Sequence, residues 1–428
     1  MSSRSFPKAA LVLAAAALLA APPLARAQAK GPPIKVGIVG PMAFIQGEDA
    51  WNGASLAADE LNAAGGVQIG EVKRPIQLVK VDTNEILNVG DATNALERAI
   101  TRDKIDFAVG GFRSEAALAM QEVAADNKTI FIVTGASLDK MSANVVENYE
   151  RYKYWFRILP PRSSDLVKAS YAMLGAITAQ VKAELAVPVV KVAVLAEKAA
   201  WTEGFVKAAQ ANIPKMGMEL VGVFQPSATA TDVGPDLTAI RATGAHLVFT
   251  AVSGPMGVAL GRQAGEMRLP AIVFGINVEA QKETFWKSTG GKGNYVSTLN
   301  FYADVESTPK TMAFVEAFRK KHGRLPTYTA ASYDAVMILA AAATGAGSVE
   351  GDKVVPVLEK TDTIGTSSRI TFDKGHDVTF GPGHTVPIGV QWQDGKLVAF
   401  FPAGCGGHLA GRNAHRAHID LALAQQAA

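Results

Sequence analysis

The 428-residue sequence contains one cysteine, Cys405, so an intrachain disulfide is excluded. Burial alone must hold the core, which a chain of this length can supply. Charge is also scarce: charged residues make up 19% and apolar residues 48%, the balance of a folded rather than a disordered chain. No apolar run reaches the roughly 20 residues that a membrane-spanning helix requires. The longest unbroken one, Ala9 to Ala21, has 13. Signatures of catalysis are missing as well. There is no G-x-S-x-G elbow, no phosphate-binding G-x-x-x-x-G-K-[ST] loop, no H-E-x-x-H and no C-x-x-C. Gly290-Gly291-Lys292-Gly293 is glycine-rich but does not link a strand to a helix, and reads as a turn.

A basic excess is only nominal. The formal charge is +3, and residues 1–27 hold Arg4, Lys8 and Arg26 with no acid. Without them the chain balances 39 basic against 39 acidic residues, which removes the case for a nucleic-acid or acidic partner. Those first residues have the layout of a secretory signal. A positive start precedes the apolar run, Pro22-Pro23 ends it, and Ala25-Arg26-Ala27 offers the small residues of a cleavage site. Cleavage is expected near Ala27, with Ala29 as the alternative bond, leaving an exported protein. No cysteine follows the run, which argues against a lipoprotein anchor.

The rest of the chain alternates β-rich runs with amphipathic helices. Ile34 to Gly40, Ile76 to Val81, Phe107 to Gly110 and Thr129 to Thr134 read as strands. Helices fall at 49–63, at Val89 to Ile100 and at Ser114 to Asn127. The pattern restarts after Pro160-Pro161. Strands are expected at Lys191 to Leu195, Glu219 to Phe224, Leu247 to Ala251 and Ala271 to Phe274, with helices at 163–182, Thr202 to Met216, Pro235 to Thr243 and Pro255 to Glu266. Such alternation predicts two α/β lobes, each a doubly wound parallel sheet. Helices at 309–322 and 329–345 read as additions to the first lobe, and strand-like pieces at 368–372 and 386–392 as a return to the second. The expected division is 34–155 plus 300–367 for one lobe and 156–299 plus 368–402 for the other. The hinge crosses near 155–162, 295–301 and 365–385, and residues 403–428 form a tail.

Ligands of open α/β sheets bind beyond the carboxyl ends of the strands. The loops 41–48, 111–114, 135–138, 196–202, 252–255 and 275–280 are therefore the ones to inspect. They supply Phe44, Gln46, Arg113, Ser114, Gly135, Ala136, Ser137, Trp201, Ser253, Asn277 and Glu279 as candidates. Ser114 opens a helix, where a hydroxyl, free N–H groups and the helix dipole can hold a carboxylate; the plainer alternative is a helix cap. Arg113 beside it can grip a carboxylate bidentately. Gly135-Ala136-Ser137 lets a ligand approach the backbone, or is an ordinary turn. Trp201 can wall an apolar ligand, or pack within its lobe. Asn277 and Glu279 can accept from an amine or hydroxyl; a solvated Glu279 is the alternative. Cys405, His408, His415 and His418 are soft donors without the spacing of an established metal site, and no metal or other cofactor is expected. The basic and aromatic run R-Y-K-Y-W-F-R at 151–157 reads as packing at a crossover, with one residue facing the cleft.

These residues carry a resemblance. K-V-G-I-V-G-P-M at 35–42, N-G-A-S-L-A-A-D-E-L-N-A-A-G-G-V at 52–67, V-G-G-F-R-S at 109–114, A-W-T-E-G-F at 200–205, Y-D-A at 333–335 and G-V-Q-W-Q-D-G-K at 389–396 are in the order and spacing of one family. Over nearly all of 34–402 the chain resembles the periplasmic substrate-binding proteins of ABC transporters for branched-chain amino acids and related small molecules. The resemblance implies a type I periplasmic binding fold, a non-catalytic receptor and delivery of a small solute to a membrane permease, with the protein as a monomer. It places the family's carboxylate-binding serine on Ser114, its small loop on Gly135, Ala136 and Ser137, and its aromatic wall on Trp201. Where leucine-type members often carry a glutamate, this sequence has Asn277, with Glu279 two residues on. Ala43-Phe44 replaces a Ser-Gly pair in the first loop. Phe44, Arg113 and Trp201 together suit a carboxylate with an apolar or aromatic body. A ligand-sensing receptor of the same fold and an exported enzyme remain the alternatives.

Overall fold

The computed structural model describes residues 31–401. The expected signal at 1–27, the tail and Cys405, His408, His415 and His418 lie outside them. Five strands form the first sheet, in the order Ile76–Asp82, Ile34–Gly40, Phe107–Gly110, Ile130–Val133, Trp155–Arg157, all parallel. Phe107–Gly110 and Ile130–Val133 are buried at every position, so their sequences are continuously apolar rather than alternating, as a sheet covered on both faces requires. A second parallel sheet runs Ile272–Asn277, Leu247–Val252, Lys191–Ala196, Glu219–Phe224. Beside it stands an antiparallel ladder, Ser297–Asn300, Ile388–Gln393, Lys396–Phe401. The Thr298 hydroxyl joins ladder to sheet, lying 2.9 Å from the Asn277 N–H and 3.1 Å from its carbonyl. Two doubly wound lobes result, as the alternation predicts.

The helices Thr311–His322 and Ser332–Ala346 lie against the helix Ile45–Ala63 of the first lobe. Ser332 donates to the Ala50 carbonyl at 2.6 Å, Thr327 N–H donates to Asp49 at 2.8 Å, and Lys321 pairs with Asp59 at 2.7 Å. No single helix among the described residues is long and apolar enough to cross a membrane.

Several elements depart from the expected pattern. The first helix starts at Ile45, not 49, which puts Gln46 inside the helix and Phe44 at its N-cap. The helix expected to reach Met216 stops at Asn212, and a 3-10 turn, Pro214–Met216, follows, because proline lacks the N–H and its ring clashes with the preceding turn. Arg369–Thr371 pairs with Asp362–Ile364 in a two-stranded ribbon and joins no strand of the second sheet. The crossing at 295–301 contains a strand, and the helices Asp139–Glu147 and Gly351–Leu358 and the hairpin of Val67–Ile69 with Val72–Arg74 are additional.

Candidate functional site

A cavity between the lobes is lined by Phe112, Ser114, Gly135 and Ser137 from the first and by Trp201, Ser253, Ile276, Val278 and Gln281 from the second. Pro160, Leu299 and Phe301 from the crossing segments, Leu166 from the helix Ser163–Leu185, and Tyr328 complete it. Its wall is mostly apolar and aromatic, with few polar groups.

Each polar group is held by a specific device. In the first lobe the buried Glu85 carboxylate accepts the Phe112 and Arg113 N–H groups at 3.1 Å each and the Thr83 hydroxyl at 3.0 Å, fixing the loop ahead of Ser114. Burial pushes the Glu85 carboxyl up to about 7, against the lowering pull of those hydrogen bonds and of the Arg113 guanidinium. Ser114 is the first residue of the helix Ser114–Asp126, the N-cap Arg113 makes no side-chain cap bond, and the Ser114 hydroxyl has no partner among the described residues. Capping therefore does not occupy it. At Gly135 a Cβ would lie 2.3 Å from the Gly111 carbonyl oxygen and 2.9 Å from the Phe112 Cα, so only glycine lets the two loops touch. Ser137 and Ser163 hydroxyls lie 3.1 Å apart, and the Tyr328 hydroxyl donates to the Gly135 carbonyl at 3.2 Å.

The second lobe repeats the device. Glu197, fully buried at the end of Lys191–Ala196, accepts the Ser253 and Gly254 N–H groups at 2.8 Å each, the Trp201 indole N–H at 3.0 Å, and the Ser253 hydroxyl. One carboxylate thus sets both Trp201 and Ser253. Sequence reasoning missed Glu85 and Glu197; Glu197 lies in a loop marked for inspection, directly after an apolar strand.

The remaining candidates sit around the cavity but do not line it. Phe44 is half-buried at its N-cap. The buried Gln46 donates across the lobes to Glu279 Oε1 at 3.3 Å. The Arg113 guanidinium lies 3.4 Å from Glu115 and 4.0 Å from Glu197. Ala136 is buried, its carbonyl accepting from Arg157 at 3.2 Å. Asn277 donates to the Gly257 carbonyl at 3.2 Å and accepts from the Glu279 and Ala280 N–H groups; a Cβ at 257 would come within 2.2 Å of its Oδ1. Glu279 pairs with Lys282 at 2.5 Å. None of residues 151–157 lines the cavity. Arg151 pairs with Glu122 and Asp126, Lys153 with Glu150 and Asp352, and Arg157 with Asp377. Among the described residues no group of three or more His, Cys, Asp or Glu side chains is placed to hold a metal.

Two α/β lobes around an apolar cavity with a few convergent polar groups are the architecture of two-lobe solute-binding proteins. The sequence profile of the periplasmic binding protein family matches residues 33–388, and the chain belongs to that family. It is similar to an "Amino acid binding protein" of Pseudomonas aeruginosa, 28% identical over 383 residues covering 88% of this chain and 95% of the relative. A "Leu/Ile/Val-binding protein homolog 7" of Brucella abortus is 24% identical, with 85% and 89% covered. Among solved structures, the substrate-binding protein LivJ of the branched-chain amino acid transporter of Streptococcus pneumoniae, in complex with isoleucine, has a TM-score of 0.69 at 22% identity, covering 86% of this chain and 98% of that one. A solute-binding protein of an ABC transporter from R. palustris, in complex with benzoate, has a TM-score of 0.68 at 20% identity, covering 88% and 100%. These neighbours confirm the type I periplasmic binding fold.

Proposed function

We propose that the chain is an extracytoplasmic receptor that binds a small carboxylate between its lobes and delivers it to the permease of an ABC transporter. Its body is a branched or apolar amino acid side chain, or an aromatic or aliphatic acid. Export through a signal at 1–27, lobes at 34–155 plus 300–367 and 156–299 plus 368–402, and a monomeric, non-catalytic protein complete the reading. The observation that carries it is the Ser114 hydroxyl, unpartnered among the described residues at a helix N-terminus and facing an apolar cavity. A carboxylate there gains the hydroxyl and the helix dipole, and its body meets Phe112, Trp201 and Phe301. Relatives with Leu/Ile/Val-binding names and neighbours holding isoleucine and benzoate support this ligand range.

Titration calorimetry against amino acids and aromatic and aliphatic acids tests the proposal. Ser114→Ala and Ser137→Ala are each expected to weaken the best ligand by about 1–3 kcal/mol through loss of a charge-assisted hydrogen bond. Unchanged affinity in both variants refutes the site.

A further inference from the structure

Gln281 stands out in the cavity wall. It is 4% exposed, sits in the 3-10 turn Glu279–Gln281, and its Nε2 donates to the Leu299 carbonyl at 2.8 Å. Its Oε1 is buried and has no partner among the described residues. A buried acceptor left unmade is costly, and Gln281 lines the cavity, where a donor on a ligand or a water can meet it.

The surrounding charges restrict what that donor can be. An ammonium group in an apolar cavity is costly unless a carboxylate pairs with it. Glu197 is already filled by the Trp201, Ser253 and Gly254 donors, and Glu279, which does not line the cavity, has its charge paired with Lys282. Glu85 is committed to the Phe112 and Arg113 N–H groups and to Thr83. Trp201, with its indole N–H spent on Glu197, offers only its apolar ring.

We propose that Gln281 is a specificity-determining residue: its Oε1 accepts a hydrogen bond from a neutral donor, a hydroxyl or amide N–H, on the body of a monocarboxylate that carries no ammonium group. The inference rests on the carboxylate reading of the cleft and narrows it. A site built to bond a hydroxyl rejects the analogue that lacks it far more strongly than an apolar pocket rejects an added group.

The test is calorimetry of the full chain with benzoate, 3-hydroxybenzoate, 4-hydroxybenzoate, leucine and phenylalanine. At least one hydroxybenzoate is expected to bind about tenfold or more tighter than benzoate, and Gln281→Leu to bring that ratio within about threefold. Benzoate binding as tightly as both hydroxybenzoates, an undiminished ratio in Gln281→Leu, or leucine or phenylalanine binding tightest overturns the inference while leaving a carboxylate site intact. Failure of every acid to bind overturns the carboxylate reading and this inference with it. The hydroxyl preference is read in the unmutated protein, so the inference stays testable if Gln281→Leu does not fold.

Discussion

Glu85 and Glu197 occupy equivalent places, each just past a strand, each gathering two consecutive N–H groups of a loop that lines the cavity. Glu85 has its carboxyl raised by burial to about 7, and Asp334 has its own raised to about 6 by the same cause. A carboxyl raised in the folded state keeps its proton while the unfolded chain has lost it. Stability therefore falls as pH rises from the unfolded value to the folded one. For Glu85 that window runs from about 4.5 to about 7 and is worth about 3 kcal/mol. Glu85→Gln removes this slope. The melting temperature of the variant, relative to the parent, should rise between pH 5 and pH 8; a difference independent of pH contradicts the assignment. At this scale the sequence was half legible. Ser114, Gly135, Ser137, Trp201 and Ser253 line the cavity because post-strand loops do so in open sheets. Arg113, Asn277 and Glu279 lie in those same loops but meet protein partners, since spacing does not tell which side of a loop a side chain faces. Gln281, Phe301 and Tyr328 come from a 3-10 turn, a crossing and a segment distant in sequence, where no loop rule pointed.

Elements were read best where they are apolar on both faces. The expected strands of both parallel sheets are found within a residue or two of their bounds, except at Ala271, where the strand starts at Ile272 and runs on to Asn277. Short antiparallel pieces such as Val72–Arg74 are half-exposed and carry no apolar run. The crossing Trp155–Arg157 shows what such an element contributes. Arg157, fully buried, donates to Asp377 through two guanidinium nitrogens and to the Ala136 and Leu138 carbonyls at 3.2 Å each. It ties the crossing to the loop that holds Ser137. Arg157→Ala leaves the buried Asp377 carboxylate without this partner and is expected to cost about 3–5 kcal/mol in urea unfolding. A loss below about 1 kcal/mol contradicts the tie.

At the scale of the whole molecule the lobes meet through polar contacts around the cavity. The Ala200 N–H, at the start of the helix Ala200–Asn212, donates to Glu115 Oε1 at 2.9 Å, and Gln46 reaches Glu279 at 3.3 Å. Arg113 lies 4.0 Å from Glu197. Such contacts exist only when the lobes are together, so they add to ligand affinity by favouring closure. Glu115→Ala is expected to weaken ligand binding about fivefold, one hydrogen bond's net worth, in calorimetry; unchanged affinity removes Glu115 from closure. The two-lobe plan was legible from the restart of the βα pattern, whereas the contacts across it join residues up to 233 positions apart and left no local trace. The central claim is that a small carboxylate is bound between the lobes and brings them together. Small-angle scattering of the protein with and without the tightest acid found by calorimetry measures this directly. A fall in the radius of gyration on saturation is predicted, and an identical profile in both states contradicts the account.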